Sequence, residues 1–195
     1  MKFFRFELTP GFVLLAAWLN YMDRQGIVPL FLVSCAAHEL GHCAAIWWFG
    51  GKIRQFKLSA IGAEILLDAS LGYVPEGIIA LSGPGINLCL AVLFSWLEIS
   101  FVFSGINLVL GCFNLLPLRL LDGGRALYCM IALLMGTNLA EKIISVLNKI
   151  GLLFFAAFGS YICGIGRNYT MIFIIIWLIA GEIGKKDVFR SCQRE

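Results

Sequence analysis

The sequence has 195 residues, of which 60% are hydrophobic and 14% charged, and its formal net charge is +3. Soluble domains average about 45–50% apolar and about 25% charged residues, so this composition excludes an ordinary soluble globule and predicts an all-α polytopic membrane protein. About six spans of about 20 residues each fill the chain, so we expect one membrane-embedded domain over residues 1–195. The small net charge predicts no nucleic-acid partner.

The first apolar run covers residues 10–22 and is short for a span. Four further apolar residues can extend it: Phe3, Phe4, Phe6 and Leu8. An Ala-x-Ala cleavage site does not follow the run, so we expect a retained span and not a cleaved signal peptide. A polar loop, residues 23–26, then precedes the second run.

The second span, residues 27–49, contains the motif His38-Glu39-Leu40-Gly41-His42, which holds the only two histidines of the chain. Residues four apart lie on one face of a helix, so both imidazoles can reach one metal ion. Glu39 then lies beside that metal, where a general base for a bound water is needed. A charged residue near the middle of a span costs about 2.5–3.5 kcal/mol, and such residues by default mark function.

A small β-hairpin at the membrane surface is predicted between the second and third spans, with an irregular loop as the alternative. Residues 52–59 alternate polar and apolar side chains, which is typical of a strand, and residues 61–68 can pair with them. The first strand offers an edge on which an extended substrate can add. Its pairing residues are Ile53, Arg54, Gln55, Phe56, Lys57 and Leu58.

The third span, residues 76–97, carries Ser82-Gly83-Pro84-Gly85 and Asn87. In a bilayer, neighbouring helices can satisfy the backbone groups that such a Pro-Gly break frees. Asn87 is either an amide that bonds across helices or a group that helps to stabilise an oxyanion.

The fourth span, residues 101–116, ends in a turn at Pro117, and a glycine pair follows Asp122, with a further helix from about residue 126. Arg119 and Arg125 can neutralise the Asp122 carboxylate. A metal ion bound by the two histidines still lacks a third ligand, so it is the better partner. Other carboxylates compete for this role. They are Glu64, Asp68, Glu76 and Glu98.

Residues 126–135 are too short to span, and residues 143–165 and 169–183 complete the six spans. The seven cysteines form no paired spacing and are interpreted as small buried apolar residues. All lysines and arginines except Arg24 and Arg167 fall on one side of this topology. The positive-inside rule therefore predicts a multi-pass protein of the cell membrane with both termini in the cytosol.

Zinc in hydrolytic sites takes three protein ligands and one water, which fits His38, His42 and Asp122 with one Zn²⁺ per chain. Glu39 can take a proton from the bound water, and the hydroxide can attack a peptide carbonyl. The alternative function is a membrane transporter or metal-binding protein that uses the same polar residues. Related halves would favour transport, and the sequence has none.

The histidine motif, the segment from Ser82 to Asn87 and the turn from Asn114 to Gly124 together resemble the site-2 protease family of intramembrane zinc metalloproteases. The resemblance covers a catalytic core of about residues 10–125. It implies His38, His42 and Asp122 as zinc ligands, Glu39 as catalytic base and Asn87 near the substrate.

The same resemblance implies membrane-spanning or membrane-associated substrate proteins, often anti-sigma or pro-sigma factors, and a possible regulatory membrane protein. The compact layout is most similar to the branch of the stage IV sporulation protein FB. We expect no CBS domain, which that branch usually carries, and no PDZ domain. Leu118-Arg119-Leu120 also replaces the more proline-rich sequence that often precedes the aspartate.

Overall fold

The computed structural model describes residues 5–60, 62–166 and 176, and these are mostly helical, with one small sheet. Strands and helices are numbered separately in chain order. They are β1 (Arg5–Leu8), α1 (Pro10–Met22), α2 (Ile27–Trp48), β2 (Ile53–Ser59), β3 (Gly62–Leu67), α3 (Tyr73–Trp96), α4 (Phe101–Asn114), α5 (Asp122–Met135) and α6 (Thr137–Gly166).

Three helices of the described residues are long and apolar enough to cross a membrane: α2, α3 and the Thr137–Ile162 part of α6. They correspond to the predicted second, third and fifth spans. The predicted first and fourth spans form α1 and α4, which are shorter apolar helices of 13 and 14 residues. The predicted sixth span, residues 169–183, lies outside the described residues apart from residue 176, so the number of six spans stays a prediction.

The prediction that Phe6 and Leu8 extend the first helix is wrong, because both lie in strand β1. Phe3 and Phe4 lie outside the described residues. A residue before proline is disfavoured in the helical conformation, so Thr9 stays extended and the helix begins at Pro10. The Thr9 hydroxyl accepts a hydrogen bond from the Phe12 N–H at 3.4 Å and caps α1.

The loop between α1 and α2 is held by Asp23. Its carboxylate accepts hydrogen bonds from the N–H groups of Val28, at 2.8 Å, and Gln25, at 3.1 Å. The bond from Val28 is the main cause that lowers the pKa of Asp23 below its usual value. The carboxylate thereby caps the first turn of α2.

The predicted hairpin is present as β2 and β3, which pair antiparallel from Ile53 with Leu67 to Ser59 with Gly62. Strand β1 adds to the other edge of β2 in parallel, so the strand order is β1-β2-β3. The expected pairing of a substrate with residues 53–58 is not supported, because β2 is the central strand. Its residues from Gln55 to Leu58 have a neighbouring strand on both sides.

Helix α3 lies at the centre of the bundle and packs against α2, α4 and α5. It is one continuous helix with Pro84 inside it, so the predicted break is absent. Glycine residues of the neighbouring helices allow their backbones to approach that of α3 closely. A Cβ on Gly41 of α2 would lie 2.9 Å from the Ser82 carbonyl oxygen, and one on Gly111 of α4 would lie 3.3 Å from that of Pro84.

The length of α4 sets the depth at which it ends. It runs antiparallel to α3, since Ser104 bonds Ala91 and Asn107 bonds Asn87. At 1.5 Å per residue, the 24 residues of α3 extend about 36 Å and the 14 residues of α4 about 21 Å. Helix α4 is therefore about 15 Å shorter than α3 and ends inside the bundle.

The non-helical residues 115–121 are packed against α6. Leu118 and Leu121 are buried, with Leu152 and Phe155 of α6 packed against them. The Arg119 N–H donates to the Asn148 carboxamide oxygen at 3.1 Å. A backbone break at membrane depth requires such partners, because lipid provides none.

Helix α5 begins at Asp122, four residues earlier than expected. Gly123 and Gly124 lie within it, and neither has a positive φ. A Cβ on Gly123 would clash with the Leu115 carbonyl, and one on Gly124 with that of Leu118. The glycine pair is thus needed because α5 starts directly against the backbone of the preceding turn.

Five of the cysteines in the described part of the chain are not in disulfide bonds, as the sequence predicts. Cys129 is buried, but Cys35 and Cys43 are half-buried and Cys89 and Cys112 are exposed on the helix surface. The prediction of burial therefore holds for Cys129 alone. The others add apolar surface to faces that a bilayer would cover.

Candidate active site

The two histidines face one point from consecutive turns of α2. Their Nε2 atoms are 3.1 Å apart, and each residue is only 7% exposed. Gly41, between them, lets α3 approach this part of α2. The i, i+4 spacing thus places both imidazoles on the face of α2 that is turned toward the bundle.

Asp122 joins the two histidines although it lies more than 80 residues further along the chain. Its Oδ2 atom is 3.0 Å from His38 Nε2 and 3.3 Å from His42 Nε2. The early end of α4 brings the turn down to this depth. The helix N-terminus at Asp122 also favours a carboxylate, since its backbone dipoles are positive there.

The second ring nitrogen of each histidine has a fixed partner. His42 Nδ1 lies 2.7 Å from the Ile79 carbonyl oxygen, which can only accept, so Nδ1 carries the proton. His38 Nδ1 lies 2.6 Å from Asn87 Oδ1 and donates to it. Both Nε2 atoms therefore direct a lone pair toward Asp122, which is the arrangement found in metal-binding histidines.

Asn87 lies beside the site, but its position differs from the expected oxyanion role. It is fully buried, and its amide hydrogens go to the Ser34 carbonyl at 3.2 Å and to Asn107 Oδ1 at 2.8 Å. Its oxygen accepts from His38. The amide is thus engaged in the protein interior, and its contacts identify it as a partner of His38.

The donor set fits a zinc ion. Tetrahedral zinc at about 2.0–2.1 Å from each ligand places the ligand atoms about 3.3–3.4 Å apart, close to the 3.0, 3.1 and 3.3 Å observed. Two imidazole lone pairs and a carboxylate oxygen repel one another unless a cation lies among them. Two histidines and a carboxylate also form a common catalytic zinc set with a position left for water.

Gly83 of α3 leaves space beside these atoms. A Cβ added there would contact His42 Nε2 and lie 2.8 Å from His38 Nε2. The methyl of an alanine would thus occupy the side of the histidine pair on which an ion can bind. A glycine at this point of α3 keeps that volume open.

Glu39 is half-buried on α2, next to His38 and three residues before His42. Side chains three apart are neighbours on a helix surface, so Glu39 lies at the border of the histidine face. It does not belong to the set of ligand atoms. This is the placement required of a proton acceptor that does not bind the metal.

The competing carboxylates are not in the site. Among the described residues, one group of three potential ligands lies close enough to share a metal, and it contains His38, His42 and Asp122. Glu76 is buried at the start of α3 and lies 3.3 Å from Arg125 of α5. This ion pair ties α3 to the helix that begins with Asp122.

Sequence reasoning missed Ser34, Asn107 and Asn148. Each is a buried polar residue within an apolar helix, and this was the available signal. A polar residue in a span normally faces the protein interior. The sequence cannot name its partner, because the hydrogen bonds join residues from different helices.

The fold and the site define a class of protein. Apolar helices of span length enclose two histidines and an aspartate beside a glutamate, which is the arrangement of a metal-dependent hydrolase within a membrane.

Known proteins agree with this class. Residues 95–158 match the model of peptidase family M50. The zinc metalloprotease MJ0392 of Methanocaldococcus jannaschii is 29% identical over 163 residues, which are 78% of this chain and 47% of the relative. The putative zinc metalloprotease Rip3 of Mycobacterium tuberculosis is 31% identical over 131 residues, covering 59% of this chain and 32% of that protein. The chain thus spans less than half the length of these relatives.

The solved structure of the site-2 protease from Methanocaldococcus jannaschii matches with a TM-score of 0.72 and 25% sequence identity. The match covers 96% of this chain and 93% of that one. The comparisons thus show similarity to peptidase family M50 and to a site-2 protease. The expected resemblance to the stage IV sporulation branch in particular is not resolved by them.

Proposed function

We propose that this chain is an intramembrane zinc metalloprotease that hydrolyses peptide bonds of membrane-spanning or membrane-associated proteins. The observation that carries the proposal is the convergence of His38 Nε2, His42 Nε2 and Asp122 Oδ2 within 3.3 Å, with Glu39 beside them. The zinc metalloprotease names of its relatives support the same activity.

His38, His42 and Asp122 would hold one Zn²⁺, which when bound polarises a water molecule and lowers its pKa toward about 7. Glu39 would take a proton from the attacking water as the water oxygen bonds to the peptide carbonyl carbon, and would give that proton to the leaving amine as the peptide bond breaks. The hydrogen bonds to Asn87 and to the Ile79 carbonyl hold the imidazoles in the required tautomer. The buried setting strengthens each of these electrostatic interactions.

The substrate is a protein segment that must be extended for its carbonyl to reach the site. Because β2 is central, the outer edge of β3 replaces residues 53–58 as the surface on which that segment adds. A helical transmembrane segment must therefore unwind near the site before cleavage.

The finer assignments belong to the same proposal. The protein lies in the cell membrane with both termini in the cytosol, and a regulatory membrane protein controls it. Its substrates are pro-sigma or anti-sigma factors, as in the stage IV sporulation branch that the sequence resembles.

The test is cleavage of candidate membrane substrates co-expressed with the wild type or with Glu39→Gln. Loss of a general base removes about 10²–10⁴ of the rate, so the variant should give no visible product. It should still bind zinc, since Glu39 is not among the ligand atoms.

The matched control is Glu98→Gln, which removes a carboxylate from the loop between α3 and α4, away from the site. It should cleave as the wild type does. Equal cleavage by the wild type and Glu39→Gln would disprove the role of Glu39. Loss of zinc from Glu39→Gln would instead assign Glu39 to the metal site.

A further inference from the structure

Three helices contribute one buried polar side chain each to a cluster next to His38. Ser34 of α2, Asn87 of α3 and Asn107 of α4 are all 0% exposed. Burying polar groups in an apolar helix bundle is costly unless every donor is satisfied. The directions of the hydrogen bonds within this cluster therefore have to be consistent.

Asn87 can adopt only one orientation in this cluster. Its NH₂ group donates to the Ser34 carbonyl at 3.2 Å and to Asn107 Oδ1 at 2.8 Å, which uses both hydrogens. Its oxygen is left to face His38 Nδ1 at 2.6 Å. Rotating the amide by 180° would turn NH₂ toward the His38 Nδ1–H and point the Asn87 oxygen at two acceptors, the Ser34 carbonyl and Asn107 Oδ1.

Asn107 fixes that orientation from the far side. Its NH₂ group donates to Ser34 Oγ and to the Phe103 carbonyl, both at 2.9 Å. The Ser34 hydroxyl in turn donates to the Leu30 carbonyl at 2.9 Å, so it can only accept from Asn107. Only the oxygen of Asn107 is then available to Asn87.

We propose that Asn107 is a positioning residue for the metal site. It fixes the amide of Asn87, and Asn87 holds His38 with its proton on Nδ1 and its Nε2 lone pair directed at the metal. The effect passes from α4 through α3 to α2, although Asn107 itself touches no candidate ligand. The inference rests on the proposed zinc site but not on the proteolytic reaction.

The first test measures zinc affinity by competition with a chromophoric chelator, using the full chain purified in detergent. Asn107→Leu keeps the approximate shape of the side chain but removes the acceptor that orients Asn87. Losing a group that orients a metal-binding histidine typically costs about 10–100-fold in metal affinity, and we expect a loss in this range.

The matched control is Ser104→Ala, one turn away on α4. It also removes a buried hydrogen bond between α4 and α3, from Ser104 Oγ to the Ala91 carbonyl at 2.6 Å. That bond has no connection to His38. The zinc affinity of Ser104→Ala should therefore stay within about twofold of the wild-type value, because sites that share no partners hardly affect one another. Ser34→Ala, a smaller truncation, should fall between the two.

The second readout is the ¹⁵N–¹H spectrum of zinc-loaded, ¹⁵N-histidine-labelled protein, which contains only two histidines. In Asn107→Leu the Nδ1–H signal of His38 should shift or broaden, because its acceptor can rotate. The signal of His42 should not move, because its acceptor is the fixed Ile79 carbonyl.

Wild-type zinc affinity in Asn107→Leu with an unchanged His38 signal would overturn the inference. So would an equal loss of affinity in Asn107→Leu and Ser104→Ala, since helix packing would then explain both. A wild-type protein that binds no zinc would instead reject the metal site, and with it the proposed function.

Discussion

At the scale of the residue, the site is defined by which atoms carry hydrogens. Both Nδ1 atoms donate to oxygen, so both Nε2 atoms present lone pairs to Asp122. Such a convergence is unfavourable without a cation and favourable with one. The candidate site therefore depends on these hydrogen-bond acceptors as much as on the three ligands themselves.

The open space next to the histidines leads to a prediction for the zinc affinity of the Gly83→Ala variant. The added methyl would contact His42 Nε2 and lie 2.8 Å from His38 Nε2, so it should compete with the metal. We expect at least about a tenfold loss of zinc affinity, at the scale of other changes around metal ligands. Chelator competition with the purified protein measures it.

Gly85→Ala is the control for this prediction, because a Cβ at Gly85 meets nothing within 4 Å. Both changes raise helix propensity by the same amount, so propensity cancels between them. Full zinc affinity in Gly83→Ala would show that the ion binds on a different side of the histidine pair.

The sequence was informative about the ligands and less so about their partners. The motif from His38 to His42 indicates a metal site by spacing alone, and Asp122 is suggested by its turn of Gly and Pro. The partner of Asn87 could not be predicted, because an amide in a span can bond in several directions. Only the positions of Ser34 and Asn107 decide among them.

At the scale of the element, the short helix α4 determines the geometry. The sequence predicts its end at about residue 116, and the structure ends it at Asn114. Whether Asp122 reaches the depth of the histidines depends on where α4 lies along α3. That register follows from packing between helices, at Gly111 and Ser104, and no local pattern reveals it.

The parallel strand β1 was missed for a related reason. Its partner β2 lies some 45 residues further along the chain, so local pattern cannot give the pairing. The alternation of polar and apolar residues from Arg5 to Leu8 was an available signal of a strand. Its consequence is functional, because it removes the free edge of β2.

The packing of the turn before Asp122 leads to a prediction for the stability of the Asn148→Leu variant. This change removes the acceptor of the partly buried Arg119 N–H, and a buried unsatisfied donor costs about 1–3 kcal/mol. We expect a loss of that size in the free energy of unfolding in detergent, with lower zinc occupancy as the turn loosens.

Ser160→Ala is the control on the same helix, since it removes only an exposed bond from Ser160 Oγ to the Ala156 carbonyl. Its free energy of unfolding should be unchanged within about 0.5 kcal/mol. An Asn148→Leu protein as stable as this control would show that Asn148 does not hold the turn.

At the scale of the whole molecule, the exposed surface is that of a protein in a bilayer. Trp47 and Trp48 at the end of α2 and Trp96 at the end of α3 are about 80% exposed, at opposite ends of antiparallel helices. Tryptophan is enriched at both membrane interfaces. His38 lies ten residues before Trp48, or about 15 Å along the helix, so water and substrate must reach a site below the surface.

The proposed cleavage of membrane proteins requires a zinc ion held inside the bundle. The most direct test is the cleavage rate of a membrane substrate by the purified full chain as zinc is removed with a chelator and then restored. We expect cleavage to be lost with the metal and to return in proportion to zinc, reaching its maximum at one ion per chain. Asp122→Ala should neither retain zinc nor regain activity. Cleavage that persists in zinc-free protein, or that returns fully in Asp122→Ala, would disprove the proposed function.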